Sequence, residues 1–260
     1  MNKYLVYASH NVEYKAGKIY HPVFGWIAPL LVNGNSKLGA GVWTWSTLAG
    51  TVEYKLPIQR DIELTVKGTC ACDCKGCYAK TGFYNMPSVL RSNAIKTWIA
   101  RNDLDFMVNA IISQIQADNI EFLRIHASGD FYSMEYAGAW HRIATECKTT
   151  VFWSYTKNKQ AEQAFNDLDN VNIVKSCIPG VGFNFGHCDY IMDAYNQLKS
   201  AGKSVYICRC GVDPNQHCNN CKGCSRNEYV LFIEHSTNYK AVDDPHFQAL
   251  ADVIEHQARQ

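Results

Sequence analysis

The chain has almost no net charge and no long apolar run. Its 25 basic and 24 acidic residues leave a formal net charge of +1, so net charge does not indicate nucleic acid or an anionic membrane surface as a partner. No segment approaches the ~20 apolar residues of a membrane-spanning helix, and the first residues lack the apolar stretch of a signal peptide. We therefore expect a cytoplasmic protein with no membrane partner.

The common nucleotide-binding and protease motifs are also absent. The sequence contains no G-x-x-x-x-G-K-S/T, no G-x-G-x-x-G after a strand and no H-E-x-x-H. This argues against P-loop nucleotide hydrolysis, Rossmann dinucleotide binding and zincin proteolysis. With 260 residues, 47% of them hydrophobic, the chain is long enough for one large domain or for a domain with an appendage.

Cysteine, by contrast, is abundant, and most of the twelve cysteines fall into two groups. Without a secretion signal these thiols should stay reduced, which favours metal or cluster binding over disulfides. The first group is Cys70, Cys72, Cys74 and Cys77, and the second is Cys208, Cys210, Cys218, Cys221 and Cys224. Only Cys147, Cys177 and Cys188 lie outside these groups.

Two kinds of sequence pattern divide the chain. Residues 1–60 are rich in Tyr, Trp and Gly with short strand-like runs, and we predict a β-rich N-terminal cap there. From residue 61 onward, strand-like runs alternate with amphipathic helical stretches. The predicted strands are Asp61–Val66, Glu121–His126, Thr149–Tyr155, Val171–Ser176, Ser204–Cys208 and Glu228–Glu234. Predicted helices follow Asp103, Ser133 and Asn158, and a fourth spans about Asp189 to Ala201 with Gly202 after it.

Strand and helix in repeated alternation predict parallel strands joined by right-handed crossovers. Six such units, over residues 61–260, can form an open doubly wound sheet or a partial (β/α)6 barrel, and spacing alone does not choose between them. In either case ligands bind at the carboxyl ends of the strands. The first cysteine group follows strand one, and Ser128-Gly129-Asp130 follows strand two. Both are therefore expected to face the same end.

Within the first group, Cys70, Cys74 and Cys77 have the spacing C-x3-C-x2-C. Three thiolates on one short loop can hold one iron–sulfur cluster. A four-iron cluster held in this way keeps one iron without a protein ligand. Zinc prefers two separated pairs of ligands, so it is the weaker alternative here. Cys72 is either a spare thiol or a replacement for Cys70 or Cys74.

The second group contains Cys218, Cys221 and Cys224 in the spacing C-x2-C-x2-C, which is typical of ferredoxin-type clusters. A fourth ligand would have to come from Cys208 or Cys210, at the end of strand five. A zinc site remains a serious alternative, because pairs of cysteines are also typical of zinc knuckles.

The segment Ser128-Gly129-Asp130 has two interpretations. Gly129 allows a ligand to approach the backbone closely, and the carboxylate of Asp130 could bind an amine. Alternatively, the segment is a turn in which Asp130 is a local cap. The nearby His126 is either an interior histidine with satisfied hydrogen bonds or a functional one, and Tyr155-Thr156-Lys157 is best interpreted as a polar loop.

These segments resemble two related groups of proteins. The C-x3-C-x2-C loop after the first strand of a βα array resembles the radical S-adenosylmethionine superfamily, which has a partial (β/α)6 barrel. More closely, the segments beginning at Cys77, Arg124 and Ser154, together with the late cysteine array, are similar to the phage gene product 88 family. That resemblance implies a phage-derived iron–sulfur protein acting in the host cytoplasm.

The superfamily resemblance implies a [4Fe–4S] cluster on Cys70, Cys74 and Cys77, with S-adenosylmethionine on the open iron as a source of radical chemistry. It implies that Ser128, Gly129, Asp130 and Tyr78 line the cofactor site, and that an electron donor such as a flavodoxin or ferredoxin is a partner. An auxiliary cluster would use Cys208, Cys218, Cys221 and Cys224. The alternatives are an iron–sulfur protein with the same barrel that does not use S-adenosylmethionine, or a zinc-stabilised binding module.

Overall fold

The computed structural model of the chain describes residues 12–34, 38–59, 62–71, 74, 77–178, 182–211, 213, 215–234 and 240–259. Its strands are β1 Tyr14–Lys15, β2 Lys18–His21, β3 Gly25–Ile27, β4 Val32–Asn33, β5 Val42–Thr44, β6 Glu53–Gln59, β7 Ile62–Lys67, β8 Phe122–Ile125, β9 Val151–Thr156, β10 Val171–Lys175, β11 Cys177–Ile178, β12 Gly182–Phe183, β13 Phe185–Gly186, β14 Val205–Ile207 and β15 Tyr229–Ile233. The α-helices are α1 Pro87–Asn102, α2 Leu104–Asp118, α3 Met134–Glu146, α4 Lys159–Gln163, α5 Cys188–Ser200, α6 Cys218–Cys221 and α7 Phe247–Ala258. Short 3-10 helices cover Tyr78–Lys80, Gly82–Asn85, Arg209–Gly211, Gly223–Ser225 and Ala241–Asp243.

The protein divides into two compact units. The first contains the described residues up to Asn33 together with Gly41–Val171, and the second contains Gly34–Ala40 and the described residues from Asn172 onward. Strand β10 therefore leads from the first unit into the second. This division differs from the predicted domains 1–60 and 61–260, which stay a prediction.

The first unit is organised around a mixed sheet. Strands β5, β8 and β9 are parallel neighbours in the order β9-β8-β5, and β4 pairs antiparallel on the far side of β5. Strand β9 has the sequence Val-Phe-Trp-Ser-Tyr-Thr, and most of its side chains are buried, as expected of a strand covered on both faces. Strands β1 to β3 form a separate antiparallel sheet. The predicted α/β class is confirmed at this level.

The predicted pairing of the first strand is wrong. Strand β7 does not lie beside β8 in a parallel sheet; it pairs antiparallel with β6 along most of their length. Only two residues separate β6 from β7 in the sequence. So short a connection permits a hairpin, whereas parallel neighbours need a crossover of a dozen or more residues. The neighbour of β8 on that side is β5, from the region predicted to be a cap.

The second unit has its own small parallel sheet. Its order is β13-β15-β14, with β15 in the centre. Helices α5 and α7 contribute buried side chains to the same core as β14 and β15, among them Ile191, Leu198, Leu250 and Ile254. Predicted strands five and six are thus present, but in a sheet separate from β8 and β9. The described strands lie in several sheets, so the single partial barrel is not the arrangement of this structure.

The predicted helices are present. Asp103 caps α2 by accepting from the Phe106 N–H at 3.1 Å, and Ser133 caps α3 by accepting from the Tyr136 N–H at 3.2 Å. Helix α1 was not predicted. None of the helices in the described part of the chain is long and apolar enough to cross a membrane.

Candidate metal centres

The first cysteine group lies in a loop that leaves β7 alongside an earlier segment of the same unit. The Thr69 N–H donates to the Leu48 carbonyl at 3.0 Å, and the Cys70 N–H donates to the Gly50 carbonyl at 3.2 Å. Cys77 ends the loop and directly precedes the 3-10 helix at Tyr78–Lys80. Cys72 lies outside the described residues, so its predicted role as a spare thiol stays a prediction.

The three described thiols of this loop are close enough to affect one another. Burial raises the pKa of Cys70 to about 11, and negative charge on Asp130, Cys77 and Cys74 adds to the rise. Without a metal the Cys70 thiol is therefore protonated at neutral pH. A bound cation would reverse that preference, because metal binding stabilises thiolates and releases their protons.

The Ser128-Gly129-Asp130 segment crosses directly over this loop. Gly129 has φ +87°, and a Cβ atom there would lie 1.8 Å from Thr47 Oγ1 and 2.5 Å from Thr69 Oγ1. The position therefore requires glycine for both its backbone angle and its space. The Asp130 N–H donates to Thr69 Oγ1 at 3.0 Å, which joins this segment to the residue before Cys70. The two predicted site segments do meet, although β7 and β8 are not sheet neighbours.

Asp130 is buried, and its carboxylate is bound by its own surroundings. Oδ1 accepts from the Phe131 N–H at 2.7 Å and from the Thr156 hydroxyl at 2.6 Å, and Oδ2 accepts from the Lys157 N–H at 3.1 Å. Burial raises the pKa of Asp130, and these three hydrogen bonds oppose the rise. The carboxylate thus connects two loops, as a local cap would.

Lys157 adds a cation to the first cysteine group. Its Nζ lies 2.7 Å from Cys74 Sγ, within hydrogen-bonding distance. The sequence predicts only a polar loop for Thr156 and Lys157. In the structure both contact predicted site residues.

The remaining predicted cofactor residues have structural contacts of their own. Ser128 is buried, and its hydroxyl donates to the Thr47 carbonyl at 2.7 Å. Tyr78 is 55% exposed; its hydroxyl donates to the Ala127 carbonyl at 2.5 Å and accepts from Arg124 Nη2 at 3.0 Å. Tyr78 is therefore largely exposed, and it directly follows Cys77, the last cysteine of the first group.

His126 is an interior histidine with satisfied hydrogen bonds. It follows β8 in a left-handed conformation with φ +61°. Its Nε2 lies 2.9 Å from the Tyr136 hydroxyl, which accepts from Trp45 Nε1–H at 2.8 Å, and its Nδ1 lies 3.3 Å from Ser154 Oγ. Because the Ser154 hydroxyl donates to the Ile125 carbonyl, the network assigns the proton to Nδ1 and leaves Nε2 as the acceptor. Burial, together with the nearby positive charge of Arg124, lowers the pKa of His126 to about 3.

The second cysteine group lies in the second unit, between β14 and β15. The hydrogen bond with Cys210 and burial raise the pKa of Cys208 well above its ordinary value, and Cys224 contributes through its charge. The Tyr206 hydroxyl lies 3.1 Å from Cys221 Sγ. Cys208 therefore interacts with Cys210 and Cys224, and Cys221 lies beside Tyr206. Cys218 begins the helix α6 that ends at Cys221.

Tyr206 was not predicted, and its ring shapes this loop. A Cβ atom at Gly223 would lie 2.5 Å from the Tyr206 ring, so only glycine permits this approach. The carbonyl of Cys224 accepts from Asn172 Nδ2 at 2.7 Å, which fixes the end of the cysteine array. On the other side, the Asn219 N–H of α6 donates to the Leu38 carbonyl at 3.0 Å.

Among the described residues, neither cysteine group forms a site for a single metal ion. Across the described ranges, no three His, Cys, Asp or Glu side chains are arranged to hold one metal ion. A zinc ion needs ligand sulfurs about 2.3 Å from one point. The thiols are grouped in each loop, but they do not converge on such a point.

The fold and these loops define a mixed α/β protein with two cysteine-rich sites. The chain belongs to the Gene product 88 family, whose model matches residues 29–178. The chain is also 26% identical, over 138 residues, to the Gene 88 protein of Mycobacterium phage D29. That match covers 44% of this chain and 57% of the relative, so the chain spans little more than half the length of the relative. No solved structure matches the chain.

The predicted family is therefore confirmed, and the phage relative supports a bacteriophage origin. The matched region contains the first cysteine group, Ser128-Gly129-Asp130 and Lys157, and it ends before the second group. The resemblance to radical S-adenosylmethionine enzymes stays a prediction.

Proposed function

We propose that this protein is an iron–sulfur protein whose first cysteine group, Cys70, Cys74 and Cys77, holds a [4Fe–4S] cluster. The observation that carries the proposal is the position of Cys74 and Cys77 on the same loop as Cys70, near enough to affect its thiol, with the Lys157 ammonium 2.7 Å from Cys74 Sγ. The spacing C-x3-C-x2-C puts these three cysteines on one short loop, without the two separated pairs of ligands that zinc prefers, and this supports a cluster over zinc.

A cluster on three thiolates has one iron without a protein ligand, where a small molecule can bind. The superfamily resemblance supports S-adenosylmethionine as that molecule, which would make the protein a radical enzyme. The superfamily resemblance implies that Asp130 lines the cofactor site. In the structure its carboxylate accepts hydrogen bonds from Phe131, Thr156 and Lys157. We assign Asp130 to positioning of the two loops.

The second cysteine group is proposed as an auxiliary centre on Cys208, Cys218, Cys221 and Cys224. The interactions of Cys208 with Cys210 and Cys224, and of Cys221 with Tyr206, support a site at this loop. Cys210 is the alternative to Cys208 as the fourth ligand. A centre closed by four thiolates would be structural or would transfer electrons.

The proposal is tested by anaerobic purification followed by iron, zinc and acid-labile sulfide analysis. We expect iron and sulfide in the wild-type protein. The variants Cys70→Ala, Cys74→Ala and Cys77→Ala should each lose one cluster's worth of iron. Cys72→Ala is the matched control on the same loop and should lose none. Equal loss in all four variants would show that the ligand assignment is wrong, and zinc as the dominant metal would support a zinc-stabilised binding module instead.

The use of S-adenosylmethionine needs a separate assay. The reduced protein is incubated with S-adenosylmethionine, and 5′-deoxyadenosine is measured against the Cys74→Ala variant. Product above that control supports a radical enzyme supplied by a donor such as a flavodoxin or ferredoxin. If the wild-type protein holds its cluster but forms no more product than the control, the result supports an iron–sulfur protein that does not use S-adenosylmethionine. Such a protein would serve in electron transfer, redox sensing or Lewis-acid chemistry.

A further inference from the structure

Lys157 contacts both halves of the first site. Its backbone N–H donates to Asp130 Oδ2 at 3.1 Å, and its side-chain ammonium donates to Cys74 Sγ at 2.7 Å. One residue therefore joins the cysteine loop to the Ser128-Gly129-Asp130 segment. The side chain is half-buried, so this contact is partly shielded from water.

The backbone around Lys157 is fixed on both sides. The Thr156 hydroxyl donates to Asp130 Oδ1 and accepts from the Asn158 N–H at 2.9 Å. Asn158 in turn caps α4 through its side chain, which accepts from the Gln160 and Ala161 N–H groups. These bonds hold the backbone from which the Lys157 side chain extends, and the ammonium of that side chain lies at Cys74 Sγ.

Lys157 brings a positive charge to the first cysteine group, because its ammonium lies within hydrogen-bonding distance of Cys74 Sγ. A hydrogen bond from a cation is stronger than one between neutral groups. Hydrogen bonds to the sulfurs and nearby charge are among the factors that set the reduction potential of a cluster.

We propose that Lys157 is a positioning residue that orients Cys74 for ligation and makes the bound cluster easier to reduce. The inference rests on the proposed function, because it concerns the same cysteine loop. Reduction adds one electron to the cluster, and the ammonium stabilises that added negative charge. Removal of the ammonium should therefore lower the reduction potential of the clusters that assemble, while the fold stays the same.

The experiment compares the reconstituted wild-type protein with Lys157→Met, Lys157→Arg and Lys159→Met by reductive titration under anaerobic conditions. Lys157→Met keeps the length of the side chain and removes the charge. Lys157→Arg keeps a charged donor. Lys159→Met removes an exposed charge two residues further along and is the matched control. Iron content and thermal stability are measured on the same samples.

We expect a lower potential for Lys157→Met, a potential near the wild-type value for Lys157→Arg, and no shift for Lys159→Met. Iron loss in Lys157→Met that Lys157→Arg restores would support the same role. An unchanged potential in Lys157→Met with full iron content would overturn the inference and leave the proposed function intact. So would iron loss in both Lys157 variants when they are folded. A wild-type protein that takes up no iron would overturn both the inference and the proposed function.

Discussion

Mild acid should destabilise this protein through one buried histidine. His126 is 3% exposed, and both of its ring nitrogens are used by a network in which Nδ1 donates and Nε2 accepts. Protonation of Nε2 would turn this acceptor into a second N–H donor. The Tyr136 hydroxyl would then lose the acceptor of its own proton. Burial therefore lowers the pKa of His126 from its ordinary 6.5 to about 3.

The direction and size of this loss of stability follow from the difference in proton binding between the folded and the unfolded chain. A lowered histidine pKa means that the unfolded chain binds the proton first, so the stability contribution is complete above pH 6.5 and declines as the pH falls toward 3. Each pH unit in this window costs about 1.4 kcal/mol. Between pH 7.5 and pH 5 the free energy of unfolding should fall by about 2 kcal/mol through His126 alone.

Urea denaturation at pH 7.5 and pH 5 of the wild-type protein and of His126→Asn isolates this contribution. Asparagine tolerates the left-handed backbone at this position and does not titrate. Buried His21, whose pKa is also lowered by burial, titrates in both proteins and cancels in the difference. The wild-type protein should lose about 2 kcal/mol more than the variant. A parallel loss in the two proteins would refute the description of His126 as a buried neutral side chain.

Two further predictions concern glycines. Gly129→Ala should lower the free energy of unfolding by about 2–4 kcal/mol, because the backbone is left-handed and the added Cβ would clash with Thr47. Thermal or urea denaturation measures this loss, and a variant as stable as the wild-type protein would contradict the loop structure described above. Gly138→Ala, on α3 with open space around it, is the control and should stabilise by up to about 1 kcal/mol. Gly223→Ala should release metal from the second cysteine group only, because its Cβ would displace the Tyr206 ring beside Cys221. Equal metal loss from both cysteine groups would contradict this prediction.

Local features of the fold could be predicted from the sequence, because local signals specify them. The buried strand β9 is a β-branched and aromatic run, and helices α2 and α3 begin at the predicted caps Asp103 and Ser133. The pairing of strands could not be predicted in the same way. The pattern of β7 indicates a strand, but it does not show that its partner is β6 rather than β8.

Helix α1 shows a second limit. It buries Asn93, Lys96 and Thr97 together with apolar residues. Since an amphipathic pattern depends on polar residues facing solvent, buried polar side chains hide the helical period. The burial of Lys96 lowers its pKa to about 8.

The spacing in the sequence predicts the cysteines of the candidate site. The meeting of the two loops is also predicted, but from a parallel pairing of β7 with β8 that the structure does not have. The contacts of Lys157 and Tyr206 are not predicted, because only the folded chain places Lys157 Nζ 2.7 Å from Cys74 Sγ and the Tyr206 hydroxyl 3.1 Å from Cys221 Sγ. Contacts between residues distant in the sequence leave no spacing signal.

The central claim is that the first cysteine loop holds an iron–sulfur cluster. Its most direct test is the ratio of acid-labile sulfide to iron in the anaerobically purified protein, compared with that in Cys74→Ala. Sulfide and iron in near-equal amounts in the wild-type protein, with both reduced in the variant, is the predicted result. Iron without sulfide, or zinc in its place, would contradict the claim.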